Sequence, residues 1–264
     1  MMKKIDGIFQ HFTSEEKVFV EKIIGICQEV EESYSYHLSS FLNPREVEIL
    51  QSIAAHFHLN TYSSQQILAT EFVRVIIAPD YYVLDESDFD ILALEICFPK
   101  KFHSLSHSQV LGTLLNQLGI RRDFIGDILI GDEGVFVILE KRFGDLARAT
   151  ISKISRVPVT WKEQALSTLP VENNKDFKSM HLLLSSLRLD KLVGAGFKMS
   201  RSNAVKLIES GQVKVNYKEM KQAGKLLEIG QLVSVRGFGR LKLRELLGHS
   251  KQGKLKVEIE VIKK

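Results

Sequence analysis

The sequence has little cysteine, no long apolar run and no glycine-rich nucleotide loop. Its two cysteines, Cys27 and Cys97, lie far apart in separate apolar patterns. That excludes a disulfide framework and reads as small buried hydrophobes in a reducing cytoplasm. No stretch of ~18 uncharged apolar residues occurs, so no transmembrane helix is expected. Met1 to Gln10 carries two lysines but no apolar h-region, which does not fit a secretory signal. There is no GxGxxG, no P-loop and no Gly-x-Ser-x-Gly elbow, and Gly194-Ala195-Gly196 is too short for a nucleotide loop. His103 and His107 stand four apart without a third ligand at matching spacing, and His56 and His58 point to different helix faces. Neither a cofactor nor a metal is expected.

What is present is a charge asymmetry. The chain carries +4 overall, yet His181 to Lys264 holds 18 Lys+Arg against 7 Asp+Glu, a net of +11, and the preceding residues carry −7. The acid is densest before Pro99, as in Asp85-Glu86-Ser87-Asp88-Phe89-Asp90. Such a division points to a polyanion-binding module joined to something else, with nucleic acid the fitting polyanion.

Hydrophobic periodicity predicts a helix over Glu15 to Glu32, with Phe19, Ile23, Ile26, Cys27 and Val30 on one face and Thr13 or Ser14 as cap. A second helix should start at Asn43, with Pro44 at its first position and Glu46 completing a capping box. From Phe72 the pattern alternates. Strands are expected at Phe72 to Ala78 and Ile91 to Phe98, and a helix at Ser108 to Leu118. A hairpin follows over Asp127 to Leu139, then a helix at Phe143 to Ile154 and a last strand at Val157 to Thr160. This ββαββαβ order suggests helices on one face of a mostly antiparallel sheet. Pro170 to Ser179 is polar and aperiodic and reads as a linker.

In the basic segment, Leu187 to Val193 reads as a short helix ended by Gly194 and Gly196, and Ser200 caps a second helix, Arg201 to Ser210, stopped by Gly211. Strands follow at Val213 to Val215, Leu232 to Val235 and Leu255 to Ile262, with turns at Asn216-Tyr217 and Gly237-Phe238-Gly239. Lys198, Ser200, Arg201 and Ser202 crowd the second helix's N-terminus, where backbone N–H groups and the dipole favour a phosphate. Arg188 and Lys191 lie on one side of the first helix. Lys206, Lys214, Asn216, Lys218, Arg236 and Arg240 follow. Asp190 fits a cap or a partner for a nearby cation better than an anion contact.

Three ordered stretches carry a resemblance: Arg188-Leu189-Asp190-Lys191-Leu192; Ser200-Arg201-Ser202-x-Ala204-x-x-x-Ile208-x-x-Gly211-x-Val213-x-Val215-Asn216; and Ile229-Gly230-x-x-Val233-x-Val235-Arg236-Gly237. Together they resemble the alpha-L RNA-binding motif of ribosomal protein S-four. Tyr217 stands where that family commonly has glycine, and Gln231 where aspartate is usual. The resemblance implies RNA contact by Arg188, Lys191, Ser200, Arg201, Ser202, Lys206, Gln212, Lys214 and Asn216. Asn43-Pro44-Arg45-Glu46 and the His107 to Ile128 segment resemble the bacterial YlmH family, in which an RRM-like domain precedes an alpha-L domain. That implies a cytoplasmic factor in quality control of large ribosomal subunits still holding peptidyl-tRNA.

The expected fold is α+β, with N-terminal helices (1–69), an RRM-like α/β sandwich middle domain (70–170) and a small C-terminal alpha-L RNA-binding domain (181–264). The expected function is non-catalytic docking on structured rRNA or tRNA by a monomer that contacts no membrane. Arg121-Arg122 form a possible secondary RNA contact, or bind the C-terminal carbonyls of the preceding helix. The middle sheet lacks a run of exposed stacking aromatics, so folded RNA fits better than single strands. The rivals are an RNA-modifying enzyme of pseudouridine synthase or methyltransferase type, and a protein adaptor that docks through the acidic N-terminal portion. Lys198-Met199-Ser200-Arg201-Ser202 echoes the tyrosyl-tRNA synthetase signature loop, but no ATP-binding domain precedes it.

Overall fold

A computed structural model describes residues 12–14, 16–170 and 178–263. The Met1 to Gln10 segment, Glu15, Lys264 and linker residues 171–177 lie outside these. The chain divides into two compact units, Met1–Asn174 and Lys175–Lys264. Among the described residues no helix is long and apolar enough to cross a membrane.

The first unit begins with α1 (Lys17–Ser33). It starts two residues later than the sequence suggested, and Glu16 just before it accepts the Thr13 N–H at 2.8 Å. After β1 (His37–Leu38), α2 (Pro44–His56) carries the full capping box: Asn43 Oδ1 accepts from the Arg45 and Glu46 N–H groups, and Glu46 accepts from the Asn43 N–H. Strands β2 (Asn60–Ser63) and β3 (Val75–Ala78) complete a three-stranded sheet in the order β1-β3-β2. The strand expected at Phe72 to Ala78 therefore belongs to this sheet and not to the one that follows. Its run Val75-Ile76-Ile77-Ala78 is apolar throughout because both faces are buried. Val75 and Ile77 meet α1 and α2, while Ile76 and Ala78 meet Phe89.

The second sheet contains β4 (Ile91–Cys97), β5 (Ile125–Ile130), β6 (Val135–Glu140) and β9 (Thr160–Gln164), all antiparallel, in the order β5-β6-β4-β9. With α3 (His107–Leu118) and α4 (Lys141–Thr150) in between, this is the βαββαβ split arrangement of RRM-type domains. Ser106 caps α3 with Gln109 as the reciprocal partner, and Gly119 ends it at φ 63°. The strand expected at Val157 to Thr160 is two pieces. Here β8 (Val157–Pro158) pairs with β7 (Lys153–Ile154), and β9 begins at Thr160. The helix expected to reach Ile154 stops at Thr150.

Leu92, Leu94, Ile96, Val137 and Leu139 face Val110 and Leu114 of α3 and Ala147 of α4. The other sheet face presents Ala93, Leu129, Phe136 and Ile138, and these lie under Phe41, Leu68 and Leu169, with Phe72 packed alongside. Polar bonds fasten the two sheets together. Arg74, 5 % exposed, donates to the carbonyls of Ser39, Phe89 and Asp90 at 2.9–3.1 Å and pairs with buried Glu140 at 3.4 Å. The Asp127 carboxylate accepts the Phe72 N–H at 3.0 Å.

The second unit is a six-stranded antiparallel sheet with two helices on one face. It comprises β10 (Lys178–Leu184), α5 (Leu189–Gly196), α6 (Arg201–Glu209), β11 (Val213–Val215), β12 (Lys218–Glu219), β13 (Leu232–Val235), β14 (Gly239–His249) and β15 (Leu255–Lys263), with strand order β10-β15-β14-β13-β11-β12. Two expectations are corrected. Lys178 and Ser179, read as linker, are strand residues paired with Val261 and Glu260. Gly194 lies inside the first helix and Gly196 is its last residue, and both are close-approach positions. A Cβ on Gly196 would sit 2.9 Å from Leu241 Cδ2, and one on Gly194 3.4 Å from the Met199 carbonyl oxygen.

Burial raises the Asp127 carboxyl to about 6, and the nearby Glu71 carboxylate adds to the rise. Between about pH 4 and 6 the folded chain then holds a proton that the unfolded chain releases, so this group makes stability fall as pH rises through that window. Asp127→Asn is expected to flatten that part of the pH–stability curve and to gain on the order of 2 kcal/mol at pH 8. Urea unfolding at pH 4.5 and pH 8 measures both.

Candidate nucleic-acid interface

The helix pair α5–α6 is organised by one carboxylate. Asp190 is fully buried in the first turn of α5. Its Oδ1 accepts from Arg188 Nε at 3.1 Å and from the Lys191 N–H at 2.9 Å. Its Oδ2 accepts from Arg188 Nη2 at 3.0 Å and from Arg201 Nε and Nη2, both at 2.8 Å. Burial works to raise this carboxyl, but the hydrogen bonds from the two arginines outweigh it and hold the group below the ordinary carboxylate range. The guanidiniums remain at the surface, Arg188 37 % and Arg201 61 % exposed. Each is therefore a fork fixed on its inner side and open to solvent on its outer side, the arrangement that suits a phosphate oxygen.

Local structure explains the placement. The first N–H groups of α5 are taken by the chain itself, Leu189 by the Lys225 carbonyl and Asp190 by that of Ala223. A Cβ on Gly224 would lie 3.2 Å from Arg188 Nη1, so the 223–225 loop can lie close against the guanidinium. Lys198 stands between the helices at φ 54°, exposed. Ser200 caps α6 by accepting the Asn203 N–H at 3.2 Å, and its hydroxyl lies 3.0 Å from that of Ser202. One donor of that helix pole is thus already engaged, so an anion here would rely more on Arg201, Lys198 and Ser202 than on the pole itself. Lys191 Nζ bonds to Ser185 Oγ at 2.6 Å, and Lys206 is exposed further along α6.

The remaining sequence candidates do not join this group. Val213 and Val215 enter the core with Leu189, Leu192, Ala204 and Ile208, so the alternation of the strand turns Lys214 to the opposite sheet face. Register puts Ser234 and Arg240 in its row. Asn216 is occupied structurally: its Oδ1 accepts the Leu232 N–H at 2.8 Å. Gln212 and Arg236 stand at neighbouring strand ends, joined by the Arg236 N–H to the Gln212 carbonyl. Lys218 is half-buried beyond the turn.

In the first unit, Arg121 is exposed and held by both oxygens of Asp123 at 2.6 and 3.0 Å. Arg122 lies over the Phe72 ring, 4.5 Å from its centroid, and donates to the Ile125 carbonyl. It therefore bonds the strand that follows it. Burial pushes the Cys27 thiol up to about 12, an inert side chain. Among the described residues no group of three or more His, Cys, Asp or Glu side chains is gathered to hold a metal.

Three family descriptions match successive parts of the chain: "YlmH, N-terminal" over residues 15–82, "Putative RNA-binding domain in YlmH" over 85–168 and "S4 domain" over 187–233. A curated Bacillus subtilis (strain 168) protein, "Ribosome-associated protein quality control protein P2", is 30% identical over 256 residues, covering 97% of this chain and 99% of its own. The chain belongs to the YlmH family. A solved structure, "Cell division protein ylmH from Streptococcus pneumoniae", is 36% identical with a TM-score of 0.54, covering 60% of this chain and 95% of that one.

A YlmH chain thus carries RNA-binding domains, and in this one the middle domain differs from a sheet that stacks bases. The face that RRM proteins use for stacking is occupied by Phe41, Leu68 and Leu169, and Phe136 is only 7 % exposed. The sequence shows the helix-pair cations, and Asp190 as a cap or a partner for a nearby cation, but not that two arginines converge on it. Arg188-x-Asp190 and Arg201 are visible as residues, while their convergence on one carboxylate depends on the close α5–α6 approach. The 223–225 loop, which backs Arg188, went unremarked.

At pH 7 Asp190→Asn is expected to lower stability by about 1–3 kcal/mol, since the neutral amide loses the charge-assisted bonds of two arginines. A carboxyl whose folded pKa is depressed contributes stability above its unfolded pKa and loses it as pH falls through the folded value. The gap between variant and wild type should therefore close as melts are taken below about pH 4.

Proposed function

We propose that this YlmH-family protein is a non-catalytic, cytoplasmic, monomeric factor that docks on structured rRNA or tRNA of the ribosome through its C-terminal unit. The observation that carries the reading is the pair of arginines fixed on buried Asp190 and open to solvent beside Lys198 and Ser202. Fixing the forks in advance removes part of the entropy cost of gripping a backbone. The net +11 of the last third supplies long-range attraction to a polyanion. The name of the B. subtilis relative supports ribosome association and quality control. From the YlmH resemblance we infer further that the target is the large subunit while it still holds peptidyl-tRNA.

Phosphate contacts position a protein and leave sequence unread. Recognition through this face would depend on the shape of folded RNA. Arg121 and Arg122 add a secondary contact at most, since both guanidiniums already serve the first unit.

The full chain is expected to bind rRNA and tRNA fragments with a log–log salt slope of about −4 to −5, as for ~5 neutralised phosphates. Arg201→Ala should weaken binding by about 1–2 kcal/mol. Fluorescence anisotropy across a salt series measures both, and affinity indifferent to salt would overturn the reading. A base modification missing from the rRNA or tRNA of a deletion strain, and restored by the wild-type gene, would replace it with an RNA-modifying enzyme.

A further inference from the structure

Five of the six tyrosines of the chain gather around the three-stranded sheet of the first unit: Tyr34, Tyr36, Tyr62, Tyr81 and Tyr82. The segment that follows β3 crosses this sheet with alternating sides. Tyr82 and Leu84 turn inward onto Ile76, Ala78 and Phe89, and Tyr81 and Val83 turn out. The Tyr82 ring packs against two others, with centroids 5.1 Å from Tyr36 and 5.6 Å from Tyr62, and its hydroxyl donates to Asp88 at 2.5 Å. Those inner contacts are core packing.

The outer residues are placed differently. Tyr81 reaches back to α1, where its hydroxyl donates to the Tyr34 carbonyl at 2.7 Å. That bond sets the outward residues beside the end of the helix, yet Val83 is 86 %, Tyr34 74 % and Tyr81 60 % exposed. Tyr34 holds the C-cap of α1 in the left-handed region, at φ 54°, a position that glycine fills without a Cβ penalty. A bulky ring there, mostly in water, does not serve the helix. Grouped exposed apolar area of this kind marks a contact surface. Tyrosine suits one, with a broad face and a polar tip.

Charge decides what the surface contacts. The two stretches that carry it, residues 29–36 and 79–90, hold eight Asp+Glu and no lysine or arginine. Asp85, Asp88 and Asp90 are engaged within the unit, by Ser87, Tyr82 and Arg74. Glu29, Glu31, Glu32, Asp80 and Glu86 stand exposed. Three of these crowd the last turns of α1, whose final turn has no basic residue, against the preference of a helix C-terminus for cations. A phosphate backbone is repelled here. A cationic chain meets both features: the carboxylates take its ammonium and guanidinium groups, and the tyrosine faces lie against them.

We propose that the surface formed by Tyr34, Tyr81 and Val83 docks a lysine- and arginine-rich segment of a partner protein. The first unit then carries a protein contact, of opposite charge preference to the RNA contact proposed for the second.

Fluorescence anisotropy of the full chain with a labelled twelve-residue peptide, three repeats of Lys-Val-Arg-Thr, provides the test. Tyr34→Gly and Tyr81→Ser leave the charge unchanged. Each should weaken peptide binding about threefold, and both together about tenfold. Glu32→Gln combined with Glu86→Gln should weaken binding at low salt and flatten its salt dependence. Carbodiimide coupling, with adducts mapped by mass spectrometry, should join peptide lysines to the fragments that carry Glu32 and Glu86. Arg201→Ala should bind the peptide like wild type, which separates this surface from the helix-pair site. If the tyrosine variants also bind like wild type, the attraction is charge alone and the surface is refuted. Tyr34→Gly should melt no lower than wild type; a melting temperature several degrees lower makes the ring a structural element and sinks the proposal. If the peptide fails to bind and the tyrosine variants instead abolish self-association or affinity for an rRNA stem-loop, the occupant is a second copy or RNA, and the proposal is overturned.

Discussion

A carboxylate without access to water sets the surface of the C-terminal unit. Burying Asp190 is costly unless every acceptor position finds a donor. Here the donors are Arg188, Arg201 and the Lys191 N–H. That requirement brings a residue preceding α5 and the first residue of α6 to the same point. It needs the two helices to approach closely, which Gly194 permits, and it needs the 223–225 loop to close over the start of α5. The same anion that satisfies the interior therefore dictates where the exterior cations stand. It also cancels part of their charge, so the site trades field strength for geometry.

The first unit meets a similar demand with the opposite sign. Arg74 is a buried cation, satisfied by three carbonyls and Glu140 from both sheets. Its position is what lets the N-terminal layer close over the middle sheet, and the closure puts Phe41 and Leu68 where an RRM protein would stack bases. Fold class alone would have suggested single-strand binding there. Packing removes that option, an instance of function residing in the site and not in the fold.

Much of this was legible in the sequence, and the limits have physical causes. Caps at Asn43 and Ser200 depend on nearest neighbours, so local chemistry found them, while the helix that Ser106 caps was placed within a residue but without its cap. The run Val75 to Ala78 was recognised as a strand but assigned to the wrong sheet, because a segment buried on both faces carries no alternation to show its partners. The strands Lys178–Leu184 and Gly239–His249 were missed. Glycine, lysine and a bulge between Leu243 and Glu245 break the period of the second, and the first adjoins a polar stretch. The candidate cations were found as a set, but charge counting has no sense of sides. Only strand parity separates Lys214 and Arg240 from Arg188 and Arg201.

That separation bears on what kind of RNA the C-terminal unit can hold. Helix-side forks read backbone spacing and are indifferent to sequence. Long-range attraction resides in the last third of the chain, since the preceding residues carry −7 and add repulsion within a Debye length of about 8 Å. In that reading selectivity comes from RNA shape, with cations supplying the pull and geometry supplying the choice.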